Sequence, residues 1–188
     1  MRRTFLVLLF AAMVAVSAFA QRGNFMVSGG LAMGNTSGSL SGLSGSGSGN
    51  LIGVTLAVDY ALPIYGNALP LHGLSIGGEV NYLVGNIEGF LDTGVLPIMA
   101  RLGYHRNFGL RNLDIFGLAK IGLARMTLAG DSSVGFGFGL DIGGRYFFTE
   151  TFAAFAELGF DNYFYNASGV KGSGRKIFTV GFAYKFFR

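Results

Sequence analysis

The residues Val134–Phe148, VGFGFGLDIGGRYFF, show most clearly the pattern from which the fold of this chain can be inferred. Its even-numbered positions are mainly apolar or aromatic, while its odd-numbered positions are mostly glycine and include Asp141 and Arg145. Because successive side chains of a β-strand point to opposite faces, this strand has one apolar face and one polar face. The same pattern recurs along the chain. Its repetition indicates a barrel whose apolar face meets lipid and whose polar face lines its own lumen.

Eight segments of strand length alternate in this way, and each is long enough for the roughly 9–11 residues that a tilted membrane strand needs. In the last of them, the alternation turns Phe178 outward and Ile177 inward. The predicted fold class is all-β, an eight-stranded antiparallel up-and-down transmembrane β-barrel that follows a cleaved helical signal peptide. The predicted strands cover residues 24–34, 51–62, 74–85, 95–106, 113–126, 134–148, 152–165 and 176–187.

Residues 1–20 have the three parts of a secretory signal peptide. Arg2 and Arg3 supply the positive charge, Phe5–Val16 is the apolar region, and Ala18 and Ala20 form an A-x-A cleavage site. An uncleaved anchor helix is the alternative, but the apolar run is short for a membrane span. The predicted domains are therefore a signal peptide over 1–20 and a barrel over 21–188.

Composition excludes several classes of function. The chain has no cysteine, so disulfides and thiolate metal sites are ruled out. Without Arg2 and Arg3, twelve basic side chains face ten acidic ones, and no basic patch with interleaved aromatics occurs, so no nucleic-acid partner is expected. No apolar run of helical-span length follows residue 20. We expect no cofactor and no metal.

The connections between segments alternate between two sides of the barrel. One side receives 35–50, 86–94, 127–133 and 166–175, and the other receives 63–73, 107–112 and 149–151. A periplasmic N-terminus would place the first set outside the cell. Asn35–Asn50 is rich in glycine and serine, and we expect a 16-residue loop with a flexible tip there.

The closing segment, Val180-Gly-Phe-Ala-Tyr-Lys-Phe186, resembles the C-terminal β-signal of bacterial outer-membrane proteins. The resemblance implies that the barrel-assembly machinery recognises its alternate residues, which are Val180, Phe182, Tyr184 and Phe186. Two residues, Phe187 and Arg188, follow the last aromatic of this motif, which departs from the usual terminal aromatic.

The whole of 21–188 is similar to the small eight-stranded family that includes the outer-membrane protein A transmembrane domain. The resemblance implies a place in the outer membrane of a diderm bacterium, reached by export through the cleavable signal peptide. We expect a monomer surrounded by outer-membrane lipid, without a periplasmic peptidoglycan-binding domain.

No catalytic constellation stands out in the sequence. The two histidines are His72, in a predicted turn beside Ser75, and His105, which points inward near the periplasmic end of its strand. A nucleophilic set needs serine, histidine and acid within hydrogen-bond reach, and His72 has no nearby carboxylate partner. Gly135–Gly139 lacks the third glycine of a dinucleotide fingerprint. We therefore predict that the protein is not an enzyme.

Ionisable residues inside the strands are the more informative signal, because the polar face of each strand turns them into the lumen. Centring the loops near Phe90 and Gly130 sets Glu79 opposite Arg101 and Lys120 opposite Asp141. A turn centred on Glu150 places Glu157 diagonal to Arg145 and Asp141. The predicted lumen charge network consists of Asp59, Glu79, Arg101, Lys120, Asp141, Arg145, Glu157, Asp161 and Lys185.

Eight strands enclose an interior just wide enough for side chains to fill it. We therefore predict a non-enzymatic outer-membrane barrel with a side-chain-filled lumen and a structural or surface-interaction role. The alternative is a narrow porin or a carrier for small solutes. A third class, a soluble lipocalin-like binder, would need the apolar face of every strand to point inward.

Overall fold

The computed structural model describes residues 25–40, 46–62, 73–87, 91–106, 112–128, 131–167 and 170–186. Its eight antiparallel strands close into one barrel in sequence order, which confirms the predicted fold class. Among these residues no helix has the length and apolar character needed to cross a membrane. The predicted signal peptide 1–20, with Ala18 and Ala20, lies outside the described residues. The strands are β1 (Phe25–Leu40), β2 (Ser46–Ala61), β3 (Gly73–Ile87), β4 (Leu91–Arg106), β5 (Leu113–Leu128), β6 (Asp131–Phe147), β7 (Phe152–Ala167) and β8 (Val170–Phe186).

In Val134–Phe148 the even-numbered apolar side chains point outward, and Asp141 and Arg145 point inward, as the alternation predicts. On β6, Leu140 is 67% exposed and Ile142 is 64% exposed, whereas Asp141 is 7% exposed and Arg145 is fully buried. A soluble lipocalin-like binder would show the reverse arrangement. That alternative is therefore wrong for the described strands.

The strands are longer than predicted at one end of the barrel. We call the end that holds Phe25 and Phe186 the terminal end and the opposite one the distal end. At the distal end β1 and β2 stay paired from Asn35 opposite Asn50 to Ser39 opposite Ser46, so the flexible loop predicted over 35–50 is wrong for all residues except 41–45, which are not described. Because ladder hydrogen bonds join backbone atoms, a glycine- and serine-rich sequence can continue the sheet.

β8 also supports this extension of β1. The hydroxyl of Thr36 donates to the carbonyl oxygen of Ser173 over 3.1 Å, and Ser37 Oγ lies 3.1 Å from Ser173 Oγ. The loops predicted over 86–94, 127–133 and 166–175 are likewise replaced in large part by strand. The outward-facing apolar side chains form a band around the barrel, which we call the apolar belt. The sheet therefore extends beyond the apolar belt on every strand whose distal end is described.

Two of the three predicted registers are wrong by two residues. Glu79 pairs with Met99 rather than with Arg101, and Lys120 pairs with Gly139 rather than with Asp141. Moving the centre of a turn by about one residue shifts the register by two, and such a shift leaves every side chain on its predicted face. The register predicted between β6 and β7 is confirmed, since Glu157 lies opposite Gly143 and diagonal to the two predicted residues.

A β-bulge in β8 changes which side chains turn inward. Met33 of β1 pairs with Phe178, but the next residue, Gly34, pairs with Lys176, so Ile177 has no partner in the ladder. The bulge buries both Lys176 and Thr179, and Ile177 is only half-buried. The prediction that Ile177 alternates inward in a regular strand is wrong because the extra residue resets the alternation.

Candidate functional site: a charged lumen between two apolar layers

The structure places all nine predicted lumen charges inside the barrel, each 7% exposed or less. Eight of them take part in ion pairs with one another, and they come from strands β2 to β7. The ninth, Lys185, is buried near the terminal end of β8, where it lies opposite Met26 of β1. Two further buried charges, Asp114 and Lys176, belong to the same network.

Arg101 on β4 joins carboxylates from three other strands. Its Nε lies 3.0 Å from Asp59 Oδ1, its Nη1 lies 3.0 Å from Glu79 Oε2, and its Nη2 lies 3.3 Å from Glu157 Oε1. The planar guanidinium presents several donors in fixed directions, which suits such a junction. Arg101 therefore ties β2, β3 and β7 together across the lumen.

The carboxylate of Glu79 on β3 forms ion pairs with three basic side chains, more than any other carboxylate of the described residues. Besides Arg101, the ammonium of Lys176 lies 2.6 Å from Glu79 Oε1 and that of Lys120 lies 2.8 Å from Glu79 Oε2. Asn81 Nδ2 donates to Glu79 Oε1 over 2.8 Å. Such multiple pairing offsets the large cost of taking a carboxylate out of water.

Lys120 and Lys176 also form ion pairs with a second common carboxylate, that of Asp161. Lys176 lies 2.9 Å from Asp161 Oδ2, and Lys120 lies 3.2 Å from the same oxygen. Lys120 also contacts Asp141, so this pair meets although the two residues are not opposite each other in the sheet. We call the seven residues at the middle of the lumen the central cluster: Glu79, Arg101, Lys120, Asp141, Glu157, Asp161 and Lys176.

Asp59 connects the central cluster with a second group nearer the terminal end. Its Oδ2 lies 3.2 Å from Arg145 Nη2, and Arg145 Nη1 lies 3.4 Å from Asp114 Oδ2. The Arg145 guanidinium also lies 4.1 Å from the ring centre of Phe116, a cation–π contact. Through Asp59, the central cluster, Arg145 and Asp114 form one connected network.

Sequence reasoning missed Asp114 and Lys176. Asp114 has the same parity as Lys120 on β5, so the alternation already turned it inward, but it stands at the start of the predicted strand. Lys176 could not be found by alternation, because the bulge at Ile177 sets its direction.

An apolar layer closes the lumen on the distal side of the central cluster. Tyr163 follows Asp161 on β7 by two positions, and Met99 stands two positions from Arg101 on β4. Both are buried together with side chains of β1, β2, β3 and β5. The layer consists of Ala32, Leu51, Leu83, Val95, Met99, Ala124, Met126 and Tyr163.

A second apolar layer lies on the terminal side of the central cluster. Phe155 precedes Glu157 on β7 by two positions, and Phe147 follows Arg145 on β6 by two. They pack with Met26, Ala153 and Ala183. The central cluster thus lies between two apolar layers, so water reaching it would have to pass packed side chains.

Glycines on the inner face make room for these large side chains. A Cβ atom at Gly139 would contact the carboxylate of Asp161, and one at Gly143 would contact the ring of Phe116. The glycine-rich face of β6 therefore lets charged and aromatic groups of neighbouring strands fill the lumen.

A serine, a histidine and an acid do come within hydrogen-bond reach, contrary to the sequence prediction. Ser75 Oγ lies 2.8 Å from His105 Nε2, and His105 Nδ1 lies 3.0 Å from Asp114 Oδ2. Ser75 is only 1% exposed, and a Cβ at Gly103 would contact both its hydroxyl and His105 Nε2. A nucleophile needs space for a reacting carbonyl beside it, and the packing around Ser75 leaves little such space.

The other histidine, His72, lies outside the described residues.

Among the described residues, no group of three or more histidine, aspartate or glutamate side chains is arranged to hold a metal ion. The buried carboxylates instead contact arginine and lysine side chains.

The residues of the motif that resembles a β-signal lie on the outer face of β8. Val180, Phe182 and Tyr184 are exposed, Phe186 is partly exposed, and β8 pairs with β1 to close the barrel. The ring of Phe182 stacks on Phe152 with 5.4 Å between ring centres. Residues 187–188 lie outside the described residues.

The fold and the inside-out distribution of side chains define an outer-membrane type of β-barrel. The chain belongs to the outer membrane protein beta-barrel domain family, whose model matches residues 6–186. No curated protein sequence matches the chain.

Two solved structures share its fold. The outer membrane protein OprG from Pseudomonas aeruginosa is 14% identical, with 88% of this chain and 97% of that one covered and a TM-score of 0.60. The neisserial surface protein A is 18% identical, with 86% of this chain and 97% of that one covered and a TM-score of 0.55.

Proposed function

We propose that this protein is a non-enzymatic barrel of the bacterial outer membrane, closed through its centre, with a structural or surface-interaction role. The observation that carries the proposal is the lumen, where a connected charge network is held between two apolar layers. A passage for solutes would need both layers to open, which is why the narrow porin or small-solute carrier remains the second choice.

The outer wall supports insertion into a membrane. On most strands the outward-facing apolar side chains run over about 9–11 residues, the length that spans a bilayer when the strand is tilted. Beyond that belt the outward-facing positions at the distal end become polar, with Asn35 and Ser37 on β1 and Asn50 and Ser48 on β2. We propose that the distal end faces the outside of the cell and the terminal end faces the periplasm, after export and removal of residues 1–20.

Engineered cysteines test this orientation, because the natural chain has none. Ser48→Cys at the distal end should react with a membrane-impermeant maleimide on intact cells. Thr149→Cys, in the turn between β6 and β7, should react only after the outer membrane is opened. Labelling of Thr149→Cys on intact cells, with Ser48→Cys protected, would reverse the proposed orientation. A protein that stays in solution without detergent would overturn the proposal.

We propose that the hydrogen-bonded side chains of Ser75, His105 and Asp114, called here the Ser75–His105–Asp114 series, hold neighbouring strands together and do not catalyse a reaction. Asp114 Oδ2 binds His105 and Arg145 together, so the series anchors β3, β4, β5 and β6 at the terminal end. A fluorophosphonate probe, which labels activated serines, should leave the folded protein unlabelled. Labelling that disappears in Ser75→Ala would show an activated nucleophile and contradict the proposal.

We propose that the barrel-assembly machinery recognises the outward-facing residues of β8. Tyr184→Ala with Phe186→Ala should then reduce insertion in cells while refolding into detergent largely survives. Leu158→Ala with Phe160→Ala, on the outer face of β7, is the matched control and should insert normally. Equal insertion of both double variants would show that this motif is not the signal.

A further inference from the structure

The distal part of the outer wall contains a groove of about 580 Å³ between β3, β4 and β5. Gly94 of β4 forms its floor, with Val84 of β3 and Thr127 of β5 as its partners on either side. Because Gly94 has no side chain, the neighbouring side chains stand above it as walls. Tyr82 and Leu96 line the part of the groove that is nearer the apolar belt.

Arg125 brings an exposed cation to one wall of this groove. Its Nη2 donates to the Ser132 hydroxyl over 3.2 Å. Its partners in the sheet are Leu96 and Val134, and Leu123, two positions away on the same face, is 59% exposed. The guanidinium therefore stands where the apolar belt ends.

Asp92 brings the opposite charge to the distal edge of the same groove. It is exposed, and its Oδ1 lies 3.5 Å from Asn86 Nδ2. Arg125 is thus the charge nearer the membrane and Asp92 the charge farther from it, with the open floor at Gly94 between them.

We propose that this groove binds a membrane lipid whose headgroup carries a phosphate and a primary ammonium. The guanidinium of Arg125 suits a phosphate, because it can donate two parallel hydrogen bonds. The carboxylate of Asp92 suits the ammonium, and Tyr82 and Leu96 offer an apolar path for the start of an acyl chain. The inference rests on the proposed placement of the outer wall in lipid.

Lipid retention on the full folded chain tests the proposal. Barrels are reconstituted with phosphatidylcholine containing equal minor fractions of phosphatidylethanolamine and phosphatidylglycerol, then extracted into neutral detergent and weighed by native mass spectrometry. The wild type should retain about one phosphatidylethanolamine in preference to phosphatidylglycerol. Soluble phosphoethanolamine should not displace it at matched concentration, because the acyl chain contributes to binding.

Three variants separate the contributions of charge and space. Arg125→Gln should lower retention of both lipids about tenfold, which is the loss of one charge-assisted hydrogen-bonded contact. Asp92→Asn should abolish the preference between the two lipids while keeping phosphatidylglycerol. Gly94→Leu should block both lipids with the charges intact. Gly117→Leu is the matched control and should retain lipid like the wild type, since at Gly117, as at Gly94, the nearest heavy atom to an added Cβ would lie 3.9 Å away.

The fold of each variant is checked by the heat-dependent shift of its band on gels, which does not depend on a bound lipid. Arg125→Lys and Thr127→Phe replace Arg125→Gln and Gly94→Leu if either fails to fold. The first should keep part of the retention, and the second should block it. If Gly94→Leu shows the normal band shift and retains as much of each lipid as the wild type does, the groove is not the lipid site. That result would leave the proposed function of the barrel in place.

Discussion

The outer and inner faces of the same strands lie in different environments and are stabilised in different ways. The outer face meets lipid, so it uses exposed side chains such as Leu140 and Phe182 that need no specific partner. The inner face has no lipid and little room, so its charges are fixed by partners such as those that surround Glu79. The outer face is therefore defined by the class of residue, while the inner face is defined by individual contacts.

This difference has a consequence for substitutions. On the outer face one apolar residue can replace another, and only a charge is harmful. On the inner face the loss of a single partner leaves the other partners buried without compensation.

Removing the charge of Glu79 should have the largest effect. Glu79→Gln keeps the volume but leaves Lys120 and Lys176 with less compensation in a dry interior, and breaking a buried pair in this way costs about 3–5 kcal/mol. Urea unfolding in lipid vesicles, followed by circular dichroism, measures the loss. The double variant Glu79→Gln with Lys176→Met should recover most of the stability, since the two charges disappear together. Two additive losses would show that the residues do not interact.

A cation on the outer wall should lower the free energy of unfolding somewhat less than the loss of the Glu79 charge does. Leu140→Arg places a guanidinium in the apolar belt, and an arginine near the bilayer midplane costs roughly 2–4 kcal/mol in a membrane barrel. The same vesicle titration reports it. Ser48→Arg, beyond the belt at the distal end, is the matched control and should change stability by less than about 0.5 kcal/mol. Equal losses at the two positions would mean that the outer wall does not face lipid.

Adding one methyl group should distinguish the two faces most finely. Gly139→Ala would press on the carboxylate of Asp161, and overpacking of this kind typically costs about 1–3 kcal/mol. Gly117→Ala points outward, with its nearest neighbour, the Asp141 carbonyl oxygen, at an ordinary contact distance of 3.9 Å, and should be neutral or slightly stabilising. If both alanines were tolerated equally, the lumen would have spare volume and the packed interior would be wrong.

The contrast between the two faces also explains how much the sequence could predict. Alternation reports only which face a residue takes, and that was enough to assign eight strands and to place Glu79, Arg101 and Lys120 inside. It does not depend on register, since a shift of two residues preserves every face. Lys120 and Asp141 therefore meet although their predicted pairing is wrong.

Three features were beyond the reach of alternation. The distal extension of β1 and β2 (residues 35–39 and 46–50) carries asparagine and serine on its outer face and threonine and glycine on its inner face, so no contrast between apolar and polar side chains marks it as strand. Lys176 turns inward through a bulge that side-chain hydropathy does not report. The Ser75–His105–Asp114 series is assembled by contacts between three strands, and distance along the sequence is no guide to such contacts.

Single-channel recording in a planar bilayer shows whether the lumen of the barrel is closed. The refolded wild-type protein, inserted in a lipid bilayer with salt on both sides, should show no stable conductance, because the central cluster and both apolar layers fill the interior. Insertion is checked independently by the band shift of protein recovered from the same lipid. A steady, reproducible conductance from correctly folded wild-type protein would contradict the account and favour the narrow porin.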